Sequence, residues 1–166
     1  MNKDGRGKTN LTQDSRADQY PSWSPDGNKI VWQRVAAPGN NDAVRTVWVM
    51  DADGSNANQI TVGREPSWSP NGDRIAFMSS QGEDVALWVI NPDGTNPVKL
   101  YDNPYQHPNA NLHSPRWSSN GSKIVFRGKI LGWGDSGIWT INVDGSNASK
   151  IADGNFVEPH WGPAVP

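Results

Sequence analysis

Glu65, Glu158 and His113 stand where acid–base chemistry could sit. Each glutamate immediately precedes the proline of a Pro-x-Trp phrase, and His113 falls one residue further out in a third copy of that phrase. Carboxylates gathered around one opening can divide into acid and base, and such a site would act on a glycan. A polar lining of that opening is the simpler expectation. Other chemistries find less support. His107 and His113 share one stretch and His160 lies apart, without the i, i+4 spacing of a helical zinc site. "DADGSN" (51–56) begins like a calcium loop, but its fifth position is Ser55 and its twelfth is Val62, where the bidentate Glu should stand. No G-x-S-x-G elbow and no phosphate-binding glycine loop occurs. Cysteine is absent, which removes disulfides, thiolate metal sites and a thiol nucleophile. No catalytic residue, metal or cofactor is therefore expected.

The 166 residues amount to one domain's length and carry a formal charge of −2, with 15 basic and 17 acidic residues intermixed. No basic stripe points to nucleic acid. No apolar run approaches the ~18 residues of a membrane helix, and the first 20 residues lack the apolar core of a signal peptide. Hydrophobic content is only 34%, against 17 Gly, 13 Pro and 9 Trp. Many turns and a few large aromatic anchors fit an all-β chain of short strands.

A repeat organises those strands. "YPSWSPDG" (20–27) returns as "EPSWSPNG" (65–72) and "SPRWSSNG" (114–121), then truncated as "EPHWGP" (158–163). Trp23, Trp68, Trp117 and Trp161 lie 45, 49 and 44 residues apart. Each unit predicts four strands, called a to d. Strand a carries the Pro-x-Trp phrase, and a Ser-Pro-Asp-Gly-like turn leads into strand b ("KIVWQ", "RIAFM", "KIVFR"). Strand c ("TVWVMD", "ALWVIN", "GIWTIN") passes through an Asp-Gly hairpin into a more polar strand d. Strands b and c are apolar at consecutive positions, so both sheet faces must be covered. Four-stranded sheets at a period of ~40–45 residues, each sandwiched by its neighbours, are β-propeller blades.

The expected architecture is all-β: three complete four-stranded antiparallel blades at about 19–62, 64–101 and 113–152, plus partial end strands. Residues 1–12 read as the outer strand of a preceding blade and 157–163 as the inner strand of a following one. Two copies would bring six complete blades together, so self-association is one expectation. The six tryptophans at repeat-equivalent positions 23, 68, 117, 48, 88 and 139 are expected to pack between blades.

The a–b and c–d turns keep constant spacing, while every insertion falls in b–c connections (33–45, 128–136) or d–a connections (101–114). These two sets lie on opposite faces of a propeller. The face with variable loops is the expected binding surface. Its candidate contacts are Arg34, Arg45, Arg64, Glu65, Tyr101, Tyr105, His107, His113, Arg116 and Trp133, with Glu158 at the channel. Trp133 stands outside the repeat register, and packing of its own loop is the simpler role for it.

The run "PSWSPDGNKIVW…VWVMDADGSNANQIT" resembles the repeats of the TolB-type propeller family. Similar blades occur in the propellers of tricorn-type proteases and prolyl-oligopeptidase relatives. The resemblance covers residues 1–163. It departs at Ser118-Ser119-Asn120-Gly121 and at the unfinished fourth copy, and the α/β domain of TolB has no counterpart here. It implies a non-enzymatic bacterial module, periplasmic or extracellular, that binds a protein or peptide through its loop face and channel. A structural scaffold assembling into a ring, and a fragment of a propeller-containing hydrolase or lyase, are the alternatives.

Overall fold

A computed structural model describes residues 6–36, 44–80, 85–101, 111–129, 136–154 and 158–161. All regular elements among them are strands, in three four-stranded antiparallel sheets. The first sheet runs β1 (Ala17–Trp23), β2 (Lys29–Val35), β3 (Arg45–Asp51) and β4 (Asn58–Val62) in that spatial order. The second runs β5 (Arg64–Trp68), β6 (Ile75–Ser79), β7 (Ala86–Ile90) and β8 (Val98–Tyr101). The third holds β9 (Asn111–Trp117), β10 (Lys123–Lys129), β11 (Ser136–Asn142) and β12 (Ser149–Asp153). Each sheet is thus a simple a–b–c–d meander, one blade of a β-propeller.

Short local hydrogen bonds close the turns. In the first a–b turn, Ser24 Oγ donates to Asp26 Oδ1 at 2.6 Å and accepts the Lys29 N–H at 2.9 Å. Gly27 completes the turn at φ +73°, a region that disfavours residues with a Cβ. In the c–d hairpins, Asp53, Asp93 and Asp144 accept both the N–H and the hydroxyl of Ser55, Thr95 and Ser146. The Asp before each hairpin glycine is therefore spent on closing its own hairpin.

Alternation of side chains along β2, β6 and β10 sends one set to each neighbouring blade. Val31, Val47 and Val49 of the first blade bury against Trp68, Ile75, Phe77 and Ile90 of the second. Ala76, Met78, Leu87, Val89 and Leu100 of the second meet Leu112, Ile124, Phe126, Trp139 and Ile141 of the third. The c–d turns stack as well: a Cβ on Gly94 would come within 3.0 Å of Ile60 O, and one on Gly145 within 3.0 Å of Leu100 O. Gly54 repeats this contact against Leu11 O at 3.1 Å. Leu11 also packs with Trp48 on Ile30, Trp32 and Met50, so it meets the first blade as Ile60 meets the second.

Two expectations need correction. Trp23 is 57% exposed rather than packed between blades, whereas Trp68 is 7% exposed. Tryptophans of the repeated phrase reach back to the blade before them: Trp117 Nε1 donates to Ser67 O at 3.1 Å and Trp161 Nε1 to Arg116 O at 3.2 Å. Trp23 has no preceding blade among the described residues to rest on. His113, placed in a connecting loop by its neighbours in the chain, lies within β9 and is half-buried.

Candidate functional site

Strand a lines the inner edge of each blade, and a bulge breaks its register at the same place in all three. Tyr20, Glu65 and Ser114, each just before a proline, hold φ values of +52°, +53° and +52°. Non-glycine residues seldom adopt this region. A bulge re-aims the side chain it carries, and here it brings the second and third blades together.

Glu65 is 5% exposed. Its Oε1 lies 2.8 Å from His113 Nδ1, and its Oε2 accepts the Ser114 N–H and, at 3.2 Å, the Ser114 hydroxyl. The Glu65 N–H donates to Gln33 Oε1 at 3.1 Å, and Gln33 Nε2 donates to Gln19 Oε1 at 3.0 Å. A polar chain thus crosses all three blades along their inner rim. Burial opposes ionisation of Glu65, but the bond and charge of His113, the Ser114 N–H and the charge of Arg64 together hold its pKa below the usual value. An ionised carboxylate only accepts, so His113 Nδ1 is the donor in this bond. The Ser114 hydroxyl bonds Glu65 rather than His113, so the three do not form a nucleophile–base–orienter chain.

Beside this chain a cleft of about 390 Å³ opens on the loop face between the first two blades. Its walls are Arg45 and Arg64, with Val44, Val62, Met78 and Val85 among the apolar lining. Arg64 Nη2 donates to Leu112 O at 3.3 Å. Burial lowers the pKa of Arg64, Glu65 counters this, and the charge of Arg45 lowers it further. A second groove of about 330 Å³ lies on the turn face, lined by Asp73, Arg74, Val98, Trp117 and Val143 among others.

The other expected contacts divide. Arg34 is 7% exposed and bonds internally: Nε to Asp18 Oδ1 at 2.8 Å, Nη2 to Asp18 Oδ2 and to Asp14 Oδ2 at 2.9 Å each. Its guanidinium also lies 4.8 Å from the Trp48 ring centre. Tyr101 packs on Phe126 at 5.8 Å. Arg116 is half-buried, with Nη1 on Pro115 O at 2.9 Å. Glu158 is exposed. Tyr105, His107 and Trp133 lie outside the described residues. Gln33 and Ser114 are not among the contacts the sequence points to. The available signal was the repeat itself, since Glu65 and Ser114 are 49 residues apart, the same separation as Trp68 and Trp117.

Comparison with known proteins agrees with this architecture. The family model of the TolB beta propeller domain matches residues 1–165. The chain is similar to a candidate TolB from Agrobacterium tumefaciens, at 25% identity and a TM-score of 0.67 over 84% of this chain and 50% of that one. It also resembles TolB from Acinetobacter baumannii, at 15% identity and a TM-score of 0.69 over 89% of this chain and 35% of that one. A third likeness is the acylaminoacyl peptidase of Pyrococcus horikoshii, at 17% identity and a TM-score of 0.65 over 91% of this chain and 27% of that one. The chain therefore spans half or less of the length of each of these structures.

Proposed function

The chain belongs to the TolB beta propeller domain family, and from that premise we propose that it is a non-enzymatic module that binds a protein or peptide through its loop face and inner rim. The observation that carries this reading is how polar groups are distributed over the two faces. On the turn face, the exposed carboxyls of Asp26, Asp53, Asp93 and Asp144 are tied up locally. The hydroxyls of Ser24, Ser55, Thr95 and Ser146 head the interactions that hold their pKa values low. On the loop face, Arg45 and Arg64 instead converge on a cleft, with the Glu65–His113 pair beside it. A concave site with a few convergent polar groups on an apolar lining is the usual form of a binding pocket. Resemblance to TolB-type propellers supports a bacterial periplasmic or extracellular setting.

Selection from a random peptide display library on the full chain tests the reading. Val62 and Val98 line the loop-face cleft and the turn-face groove respectively, and both are nearly half exposed. Val62→Trp should fill the cleft and abolish capture of the selected peptides, while Val98→Trp leaves it intact. The reverse pattern, or no selectable peptide, contradicts it.

One observation favours self-association as a second property. The indole of Trp23 stands open where Trp68 and Trp117 are covered by a neighbouring blade. A second copy covering it would appear as a dimer in light scattering behind size exclusion, lost in Trp23→Ser. A monomer at all concentrations removes this reading.

A further inference from the structure

We infer that the loop-face cleft selects an extended acidic segment, seating a carboxylate between Arg45 and Arg64 and an adjacent aliphatic side chain on Val44 and Val62. This rests on the peptide-binding reading above and specifies its ligand.

The argument begins with the connection that builds the cleft. Gly63 joins β4 to β5, and its N–H donates to Arg45 O at 2.9 Å. A Cβ on Gly63 would come within 2.5 Å of Phe77 Cδ2 and 2.9 Å of Met78 O. Its lack of a side chain therefore lets the first blade's outer strand close tightly onto the second blade. That closure places Arg45, at the start of β3, next to Arg64, at the start of β5. Arg45 and Arg64 repel each other on this wall while the Glu65 charge offsets part of the repulsion; Arg64, the more buried of the two, also holds Leu112 O through Nη2. An arriving anion relieves that repulsion and can be held by charge-assisted, forked hydrogen bonds.

The neighbouring carboxylate of this chain is already committed. Both oxygens of Glu65 face the third blade, on His113 and Ser114. A ligand carboxylate would complement the arginines without competing with it. The rest of the lining narrows the ligand class. Val44 is 54% exposed and Val62 45%, so each leaves apolar surface open beside the charged wall. A free inorganic anion would leave that surface wet, whereas a carboxylate carried next to an aliphatic side chain covers it. At about 390 Å³ the cleft has room for a few residues of extended chain.

The test is peptide selection on the full chain, followed by fluorescence polarisation with the enriched sequence and its Glu/Asp→Gln/Asn analogue. An enriched pool rich in Asp and Glu is expected, with the amide analogue binding at least tenfold more weakly. Arg45→Glu, at an exposed position, should abolish binding, and raising salt should weaken it. The turn-face control Arg74→Glu should change nothing. A neutral pool, or an acidic one indifferent to Arg45→Glu but still blocked by Val62→Trp, overturns the inference and leaves the peptide-binding reading standing. No selectable peptide overturns both.

Discussion

Glu65 and Ser114 occupy the same place one blade apart, and the carboxylate of the first accepts the backbone N–H of the second. The bulge that turns Ser114 inward would otherwise leave that donor without a partner from its own sheet. Glu65→Ala removes the acceptor and strands a buried N–H, which costs about 1–3 kcal/mol. Glu65→Gln keeps an acceptor oxygen and should cost less. Urea unfolding of the two variants checks this. If Glu65→Ala unfolds with the wild-type midpoint, the bridge contributes nothing.

The same carboxyl predicts an acid response. Its folded pKa lies below the usual glutamate value, because the His113 and Ser114 bonds and the Arg64 charge outweigh burial. A depressed folded pKa means that the unfolded state takes up its proton first as pH falls. The stability contributed by Glu65 is thus complete above the ordinary glutamate pKa and lost as pH drops through the lower folded value. Glu65→Gln should flatten the fall in melting temperature between about pH 5 and pH 3. An unchanged slope would mean that other carboxylates account for it.

Glycines in the two kinds of turn should differ in what they tolerate. Gly27 and Gly94 both hold positive φ, at +73° and +85°. A Cβ on Gly27 meets nothing within 4 Å, whereas one on Gly94 meets Ile60 O at 3.0 Å. Gly27→Ala should cost only the left-handed backbone term, about 1–2 kcal/mol. Gly94→Ala adds a contact that pushes two blades apart and should lower the melting temperature further. Equal effects would show that the turn stacking is loose.

Strand-c tryptophans carry an unequal hydrogen-bond load. Trp48 Nε1 donates to Thr46 Oγ1 at 2.9 Å, while Ala86 and Gly137 hold the same position in the other blades. The indole N–H groups of Trp88 and Trp139 are buried without a partner. Thr46→Val, near-isosteric, should cost about 1–3 kcal/mol by giving Trp48 the same deficit. A neutral effect would show that the indole N–H reaches another acceptor.

The blades were legible in the sequence because their causes are local. Ser-Pro-Asp-Gly and Asp-x-Asp-Gly specify turns by backbone preference, and consecutive apolar residues specify two-sided burial. The strands run longer than the apolar pattern suggests in places: β2 continues through Gln33 and Arg34 to Val35. Those residues are buried by cross-blade and ionic contacts, which composition does not announce. The inner rim was less legible. The sequence groups Glu65 with His113 and Glu158 around one opening; the structure joins Glu65 to His113 and adds Ser114, which that grouping does not include. Equivalent residues occupy equivalent places on different blades; contact depends on which way the bulge aims each side chain. Trp23 shows the same limit, since its repeat position is that of Trp68 but the covering surface belongs to another blade.

Amide hydrogen exchange of the full chain, with and without its tightest selected peptide, tests the binding account most directly. The account predicts slowed exchange at residues 44–45, 62–65 and 78–80, extending along the inner rim to 112–114. Slowing confined to the turn face around 71–74, 98 and 143, or to the open edge at Trp23, would contradict it.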